Sequence, residues 1–407
     1  MNKINIVSLF SGVGAFETAL TRLGIEHKIE LYSEIDRFAS KAYSVLHNVD
    51  ESLNIGSVEN IDKVNTSEDI TLLTYGFPCQ DISVAGYQRG LTDEQGNKTR
   101  SGLVWDALKV VDKVKPKIAI AENVKGLVGK KFEGEFKAIL DELDFIGYNN
   151  YWKVLNAKDY GVAQNRERVF IVSIRKDIDT GLFEWPEPFK LEKRIKDYLE
   201  AEVDEKYYSS KRMVEYLTGI NQSEESKAKY DRAKRFSPHI DGSRVAYTIT
   251  TNTGNRPTDN YILESTPLII KDKEEFYKQL EEYGSIIGAS RGRNLDNLSD
   301  RTEGIKLTQV MEPNLKGVSN TLTTVPKDNY VIESNQLRLR KLTPLECWRL
   351  MGFDDEDHNK VEQAGISDSQ RYKQAGNSIV VDVLKYLLKN IFESQHIIIG
   401  ELGEKLL

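Results

Sequence analysis

The sequence predicts an α/β fold on a doubly wound sheet, with a smaller, mostly β second domain. Three observations predict it. Short β-branched runs alternate with helical stretches through the first 175 residues. Each unusual small or polar tract falls just after one of those runs, at the strand ends where such sheets hold ligands. Farther along, two similar segments each read as strand, turn and strand.

INIVSLF (4–10) opens the pattern and ends in the small-residue turn SGVGAF. A helix follows, with Phe16, Ala19, Leu20 and Leu23 on one face and Gly24 as its stop. IELYSEID (29–36) is a second strand ending in acids, and TLLTYGF (71–77) is a third. A helical stretch from about Val104 to Val114 precedes KIAIAENV (117–124), and YWKVLNA (151–157) and RVFIVSIR (168–175) are two more strands. This order lines SGVGAF, Glu34-Ile35-Asp36, Pro78-Cys79-Gln80 and Glu122-Asn123-Val124 along one edge. SGVGAF with Glu34 about twenty residues on has the layout of a nucleotide-type cofactor site. A purely structural turn accounts for those residues as well. The tract lacks the GxGxxG and GxxxxGK spacings that cradle phosphates, so a nucleoside without phosphates suits it better.

Composition narrows the class. A chain of 407 residues, 39% hydrophobic, suggests two or three domains with a sizeable core. Lys and Arg number 56 against 63 Asp and Glu, a net charge of -7, which argues against a protein basic all over and leaves room for a local basic groove. Two cysteines, Cys79 and Cys347, cannot build a disulfide scaffold. The five histidines lie far apart in sequence, and no metal is expected. Neither a secretory signal nor an apolar run of bilayer length is present, so a soluble cytoplasmic protein is expected.

GFPCQDISVAG then finds its context. With SLFSGVGAFETAL, SEIDRFASKAY, AENVKGL, YGVAQNRERVFIVSIR, RKLTPLECWRLMGF and QAGNSIVVDVL, it resembles, in order, the DNA cytosine C5-methyltransferases of bacterial and phage type. The matching tracts run to about residue 175 and resume from about 336 to 390. The interval between is where that family keeps its target-recognition region. The resemblance implies a Rossmann-like sheet using S-adenosylmethionine and acting on a cytosine flipped out of duplex DNA.

The chemistry suits the residue types. Carbon 5 of cytosine is a poor nucleophile; a thiolate adding at carbon 6 makes an enamine-like ring whose carbon 5 can attack a methylsulfonium. By resemblance Cys79 is that thiolate, Glu122 a protonated carboxyl at nitrogen 3, Arg168 a donor to oxygen 2, and Arg166 its support. Cys347 lies at helical spacing among apolar neighbours and reads as core. Phe10, Gly12 and Gly14 resemble the positions packed around the methyl donor, Glu34 its ribose-binding acid and Ile35 the apolar residue at the adenine. Asn377 and Ser378 resemble the groups that complete that site. Where the family usually has Gly-Asp-Ile, this chain has Gly56-Ser57-Val58, so Ser57 replaces a carboxylate with a weaker acceptor. Gln80, Ser83, Arg89 and Arg100, in the polar, Gly-containing stretch after Cys79, are candidates for DNA contact.

The middle of the chain carries a basic run, KAKYDRAKR (227–235), and a repeat. VAYTITTNTGNRPTDNYILES (245–265) and VSNTLTTVPKDNYVIES (318–334) share a T-x-T-T and a DNY, and are expected to form two related hairpins. The second holds the Thr321-Leu322 dipeptide, which resembles the family's recognition Thr-Leu; Arg291, Arg293 and Arg301 are further candidates for groove or phosphate contact. The expected organisation is a catalytic domain over 1–178, a target-recognition domain over 179–335 and a segment over 336–407 whose last helix, about Ile379 to Phe392, returns to the first domain. The expected partner is double-stranded DNA, met by a monomer, with a restriction endonuclease as a functional counterpart. An RNA cytosine methyltransferase and a catalytically silent DNA-binding regulator are the competing readings. A Rossmann-type oxidoreductase would need the phosphate-binding glycines that SGVGAF lacks.

Overall fold

The computed structural model describes residues 3–66, 69–79, 81–82, 90–92, 96–193, 195–207, 247–248, 266–267, 275, 279, 282–283, 285–294, 308–321, 330–333 and 339–397. The chain divides into two compact units. The first comprises Met1–Val162, Arg166–Leu191 and Met351–Leu407; the second comprises Ala163–Asn165 and Glu192–Leu350.

The first unit is built on a six-stranded sheet of β1 (Ile4–Leu9), β2 (His27–Ser33), β3 (Leu72–Tyr75), β4 (Ile118–Val124), β5 (Tyr148–Asn156) and β6 (Glu167–Arg175). Its order is β2-β1-β3-β4-β6-β5. The first four strands are parallel to one another. β6 runs against both β4 and β5. β3 and the first four residues of β4 are buried on both faces, which is why they read as continuous apolar runs rather than alternating ones.

One face packs through Val7, Leu73, Tyr75, Ala119 and Ile171 on α3 (Val104–Val114) and α4 (Glu133–Phe145). The opposite face, with Ile6, Leu72, Ile118 and Ile120, is also buried. Helix α1 (Ala15–Arg22) follows β1, and α2 (Arg37–His47) follows β2, capped by the Asp36 carboxylate accepting from the amides of Phe38 and Ala39. At the C-terminus of the chain come α6 (Asp355–Gln363), α7 (Asp368–Asn377) and α8 (Val381–Ser394). α8 packs against α1, and α6 against α2. Its apolar face of Val381, Leu384, Leu387, Leu388 and Ile391 is buried, so the end of the chain completes the core begun by its start.

In the second unit, β7 (Tyr247–Thr248) pairs with β8 (Thr266–Pro267), and β9 (Ser285–Arg293), β10 (Thr308–Asn314), β11 (Tyr330–Glu333) and β12 (Leu339–Lys341) form a sheet in the order β10-β9-β11-β12. Helix α5 (Pro344–Arg349) closes this unit with a Thr343–Glu346 capping box, and Cys347 is buried in it, as its spacing implied. The second repeat copy is not the hairpin expected of it. Both edges of β11 are taken, by β9 and β12, and Ser319 instead bridges Gln164. Of the first copy only Tyr247–Thr248 is described, and its partner strand lies just beyond the copy's end. The basic run 227–235 lies outside the described residues. Among the described residues, no helix is long and apolar enough to cross a membrane.

Two glycines of the SGVGAF turn differ in what surrounds them. Both adopt positive φ, +57° at Gly12 and +80° at Gly14. A Cβ on Gly12 would meet nothing within 4 Å, whereas one on Gly14 would lie 2.0 Å from the His47 ring. Gly12→Ala should therefore cost about 1–2 kcal/mol, from the left-handed backbone alone. Gly14→Ala should cost at least about 1 kcal/mol more, because His47 must also leave its hydrogen bond. Urea denaturation of the two variants reads the difference, and equal losses would contradict it.

Candidate active site

β3 ends at Tyr75, and the chain leaves the sheet as Gly76-Phe77-Pro78-Cys79. Pro78 cannot donate to a ladder, which suits a segment leaving a sheet. Phe77 is buried and anchors this exit in the core. Its carbonyl accepts from Asn123 Nδ2 at 3.0 Å, so the end of β4 holds the segment that carries Cys79. Cys79 itself is partly exposed.

Glu122 sits on β4 immediately before Asn123. β6 is antiparallel to β4, so its beginning, not its end, reaches the carboxyl edge of the sheet. Val124 pairs with Arg168 and Glu122 with Phe170. Residues two apart share a face, so Arg168 and Glu122 are diagonal neighbours. Arg168 Nε lies 2.9 Å from Glu122 Oε1, with both side chains mostly buried. Glu122 Oε2 faces Gly76, where a Cβ would stand 3.6 Å away.

Arg166 is buried, and its Nη2 donates to the carbonyls of Gly376 at 3.0 Å and Ser378 at 2.6 Å. It ties the start of β6 to the end of α7, some 210 residues away in the chain. The structure thus brings Cys79, Glu122, Arg166 and Arg168 together, and it places Asn377 and Ser378 beside Arg166. Asn377 is exposed and Ser378 buried.

These groups perturb one another. Burial pushes the Glu122 carboxyl up, and the guanidiniums of Arg168 and Arg166 pull it back. Burial also raises the Cys79 thiol; the charge of Glu122 adds to the rise, while Arg168 and Arg166 oppose it. Thiol and carboxyl are therefore both shifted toward protonation relative to their ordinary values, and the two guanidiniums oppose both shifts.

A second cluster lies past β1 and β2. Glu34 Oε2 accepts from the Gly12 amide at 3.0 Å and Oε1 from the Asp36 amide at 2.7 Å. Burial raises its pKa, and these backbone bonds oppose the rise. Beside it Ile35 is 79% exposed, the opposite of what its hydrophobicity favours. Phe10, a non-glycine residue at φ +53°, packs against the core and turns the chain into SGVGAF. Val58 is a core residue, and Ser57 Oγ accepts from the Glu59 amide at 3.2 Å on the surface.

Asn54 carries no motif in the sequence, yet it supports Glu34. Its side chain accepts from the amides of Glu34 and Gly56 and donates to the Glu34 carbonyl, bracing the acid from behind. A single Asn between two acid-containing tracts carries no spacing signal. Lys373 pairs with Asp36 and Gln374 donates to the Phe38 carbonyl, so α7 is pinned to α2.

The candidate DNA contacts fare unevenly. Gln80, Ser83, Arg89, Leu322 and Arg301 lie outside the described residues, as does the side chain of Arg291. Arg100 is exposed. Thr321 donates its hydroxyl to the Asn165 carbonyl at 2.6 Å, within the second unit. Arg293 is held on β9 by a two-pronged pairing with Glu312 of β10, at 2.6 and 2.8 Å, which removes it as a free groove contact.

The charges around Cys79 have a measurable consequence. In a Cys347→Ala background, iodoacetamide should alkylate Cys79 with a pH midpoint above that of an ordinary thiol, about 8.5. Glu122→Gln removes the charge that raises the thiol, so the midpoint should fall; Arg168→Met removes one that lowers it, so the midpoint should rise. Shifts of opposite sign would refute the arrangement.

Residues 4–393 match the family model for the C-5 cytosine-specific DNA methylase. The orphan methyltransferase M.SPRI of Bacillus phage SPR is 32% identical over 97% of this chain and 98% of its own. The type II methyltransferase M.HhaI of Haemophilus parahaemolyticus is 28% identical over 96% of this chain and 95% of its own. The solved structure of the S. pombe Dnmt2 methyltransferase covers 96% of this chain and 99% of that one, with TM-score 0.54 at 17% identity. A putative DNA modification methyltransferase encoded within an E. coli prophage covers 97% and 100%, with TM-score 0.53 at 20% identity. These two likenesses concern the fold, and the sequence matches carry the family. The chain belongs to the C-5 cytosine-specific DNA methylases and is a DNA (cytosine-5)-methyltransferase.

Proposed function

We propose that the first unit moves a methyl group from S-adenosylmethionine to carbon 5 of a cytosine flipped from duplex DNA, with Cys79 as the nucleophile and the second unit reading the target. The observation that carries this reading is the meeting of Cys79, Glu122 and Arg168 at the carboxyl edge of one sheet, with Arg166 linking them to the segment 376–378.

The residues around Gly12 fit the methyl donor. Space over Gly12 is open, each Glu34 oxygen has a further lone pair for a ribose hydroxyl, and exposed Ile35 offers an apolar surface to a flat base. Ser57, Val58, Asn377 and Ser378 would complete the site, with Ser57 the weaker substitute for an acid, and Phe10 and Gly14 shaping its turn. When bound, the donor supplies a methyl group on a positively charged sulfur.

The protein's own part is proton and charge management. In the productive state a proton rests on Glu122 and Cys79 is the thiolate. With Glu122 neutral, the charge that raised the thiol is gone and both guanidiniums favour the sulfur anion. Sγ bonds to carbon 6 of the cytosine, and the ring's displaced electrons move toward nitrogen 3 and oxygen 2. Glu122 donates to nitrogen 3, and Arg168 donates to oxygen 2. After methylation the carbon 5 proton passes to solvent water, the carbon 6–Sγ bond breaks with its electron pair returning to the Cys79 thiolate, and nitrogen 3 returns its proton to the Glu122 carboxylate, which restores the aromatic ring. Attack on carbon 6 needs the face of the ring, which stacking hides, so the base must leave the helix.

Gln80, Ser83, Arg89 and Arg100 are assigned to the DNA near the nucleophile, and Thr321 with Leu322 to target readout. The enzyme is read as a cytoplasmic monomer. The relatives include both orphan and type II methyltransferases, so a restriction endonuclease partner does not follow from membership.

Expression in a methylation-free host followed by bisulfite sequencing should show methylcytosine in one sequence context, and the purified enzyme should label duplex DNA but not transfer RNA. Cys79→Ser should bring methylation to background while leaving DNA binding intact, and Glu122→Gln should slow it by about 10²–10⁴-fold. Retained activity in the Cys79→Ser variant would end this account. Thr321→Ala should weaken binding and methylation of the target more than Thr248→Ala, and Thr321→Ser should recover the loss by restoring the bond to Asn165. Equal effects of the two alanine changes would move readout away from Thr321.

A further inference from the structure

His47 is the last residue of α2, outside the tracts that carry the family resemblance. Its ring reaches back to the SGVGAF turn. Nε2 is 3.0 Å from the Val13 carbonyl; a carbonyl only accepts, so Nε2 carries the proton. The ring also fills the space over Gly14, where a Cβ would overlap it. On its other side it packs on Tyr43 at 4.7 Å between centroids, and the Tyr43 hydroxyl donates to buried Glu17 at 2.8 Å. Tyr43 is stacked in turn on Tyr32 of β2 at 4.3 Å. The ring is therefore clamped, and Val13 is held where it stands.

Val13 lies between Gly12 and Gly14. Gly12 gives its amide to Glu34, and Gly14 caps the start of α1, its carbonyl accepting from the Thr18 amide and hydroxyl. The line His47–Val13–Gly12–Glu34 connects a helix end to the acid assigned to the ribose. Nothing else among the described bonds reaches the Val13 carbonyl.

We propose that His47 is a positioning residue for the methyl donor: it holds the turn 11–14 so that the open space over Gly12 and the carboxylate of Glu34 keep their mutual geometry. The proposal rests on the reading that this turn and Glu34 bind S-adenosylmethionine. It assigns His47 to donor affinity and not to the chemistry at Cys79.

The test measures donor dissociation by equilibrium dialysis with S-adenosylmethionine, and kcat and KM with duplex DNA carrying the target found by bisulfite sequencing. His47→Ala should weaken donor binding about ten-fold, the scale of one lost hydrogen bond and its packing. At saturating donor, kcat and the KM for DNA should stay within about two-fold. His47→Gln, whose amide can still donate to Val13, should recover most of the affinity. His47→Phe keeps the ring against Tyr43 and Gly14 without the donor and should stay folded with an intermediate loss. It supplies the measurement should the alanine variant unfold. Wild-type donor affinity in both His47→Ala and His47→Phe would overturn the proposal, as would a fall in kcat with affinity unchanged. Failure of the wild-type protein to bind the donor, or wild-type affinity in Glu34→Ala, would instead overturn the reading of the site.

Discussion

The antiparallel pairing of β6 against β4 is the constraint on which the rest of the site depends. A parallel strand at that place would bring its carboxyl end, Ile174-Arg175, to the working edge and carry the QNRER tract to the far side. Reversal puts the start of the strand there, and the register Val124–Arg168 sets the guanidinium diagonal to Glu122. The fold gains its ion pair from topology, not from neighbouring sequence positions.

That pairing also solves a problem of charge. A carboxylate and a thiolate in a mostly buried pocket each oppose ionisation, and together they repel. Two guanidiniums relieve both, but in different ways. Arg168 faces Glu122 directly, while Arg166 is anchored on two backbone carbonyls and acts on the pocket as a fixed charge. A side chain so anchored needs little reorganisation when negative charge develops nearby, which is what electrostatic stabilisation of a reacting ring requires. Cys79, in contrast, is mounted on an extended exit whose position is secured by Asn123 and buried Phe77.

The same anchoring unites the ends of the chain. Residues 376 and 378 hang from Arg166, Lys373 from Asp36, and Gln374 from the Phe38 carbonyl, while α8 lies on α1. Residues 351–397 are thus part of the first unit's core and of both clusters along its edge. The interruption by the second unit costs little in principle, because the entropy of closing a long loop grows only slowly with its length.

The sequence by itself determined the strands. INIVSLF, TLLTYGF, KIAIAENV and RVFIVSIR are apolar and β-branched over strand lengths, and they fall on β1, β3, β4 and β6 because a sheet buried on both faces leaves few other residue types admissible. It also carries the residue types that the proposed reaction calls for, a thiol, an acid and two guanidiniums, in tracts spread along the chain. The reversed direction of β6, the hydrogen bonds of Arg166, the bracing by Asn54 and the reach of His47 were decided by tertiary structure. Each joins residues separated by tens to hundreds of positions with no periodic pattern between them. The repeat shows the same limit from the other direction. Shared residues at 245–265 and 318–334 suggest matching hairpins, but a strand pairs with whichever edges the sheet presents, and β11 meets β9 and β12 instead.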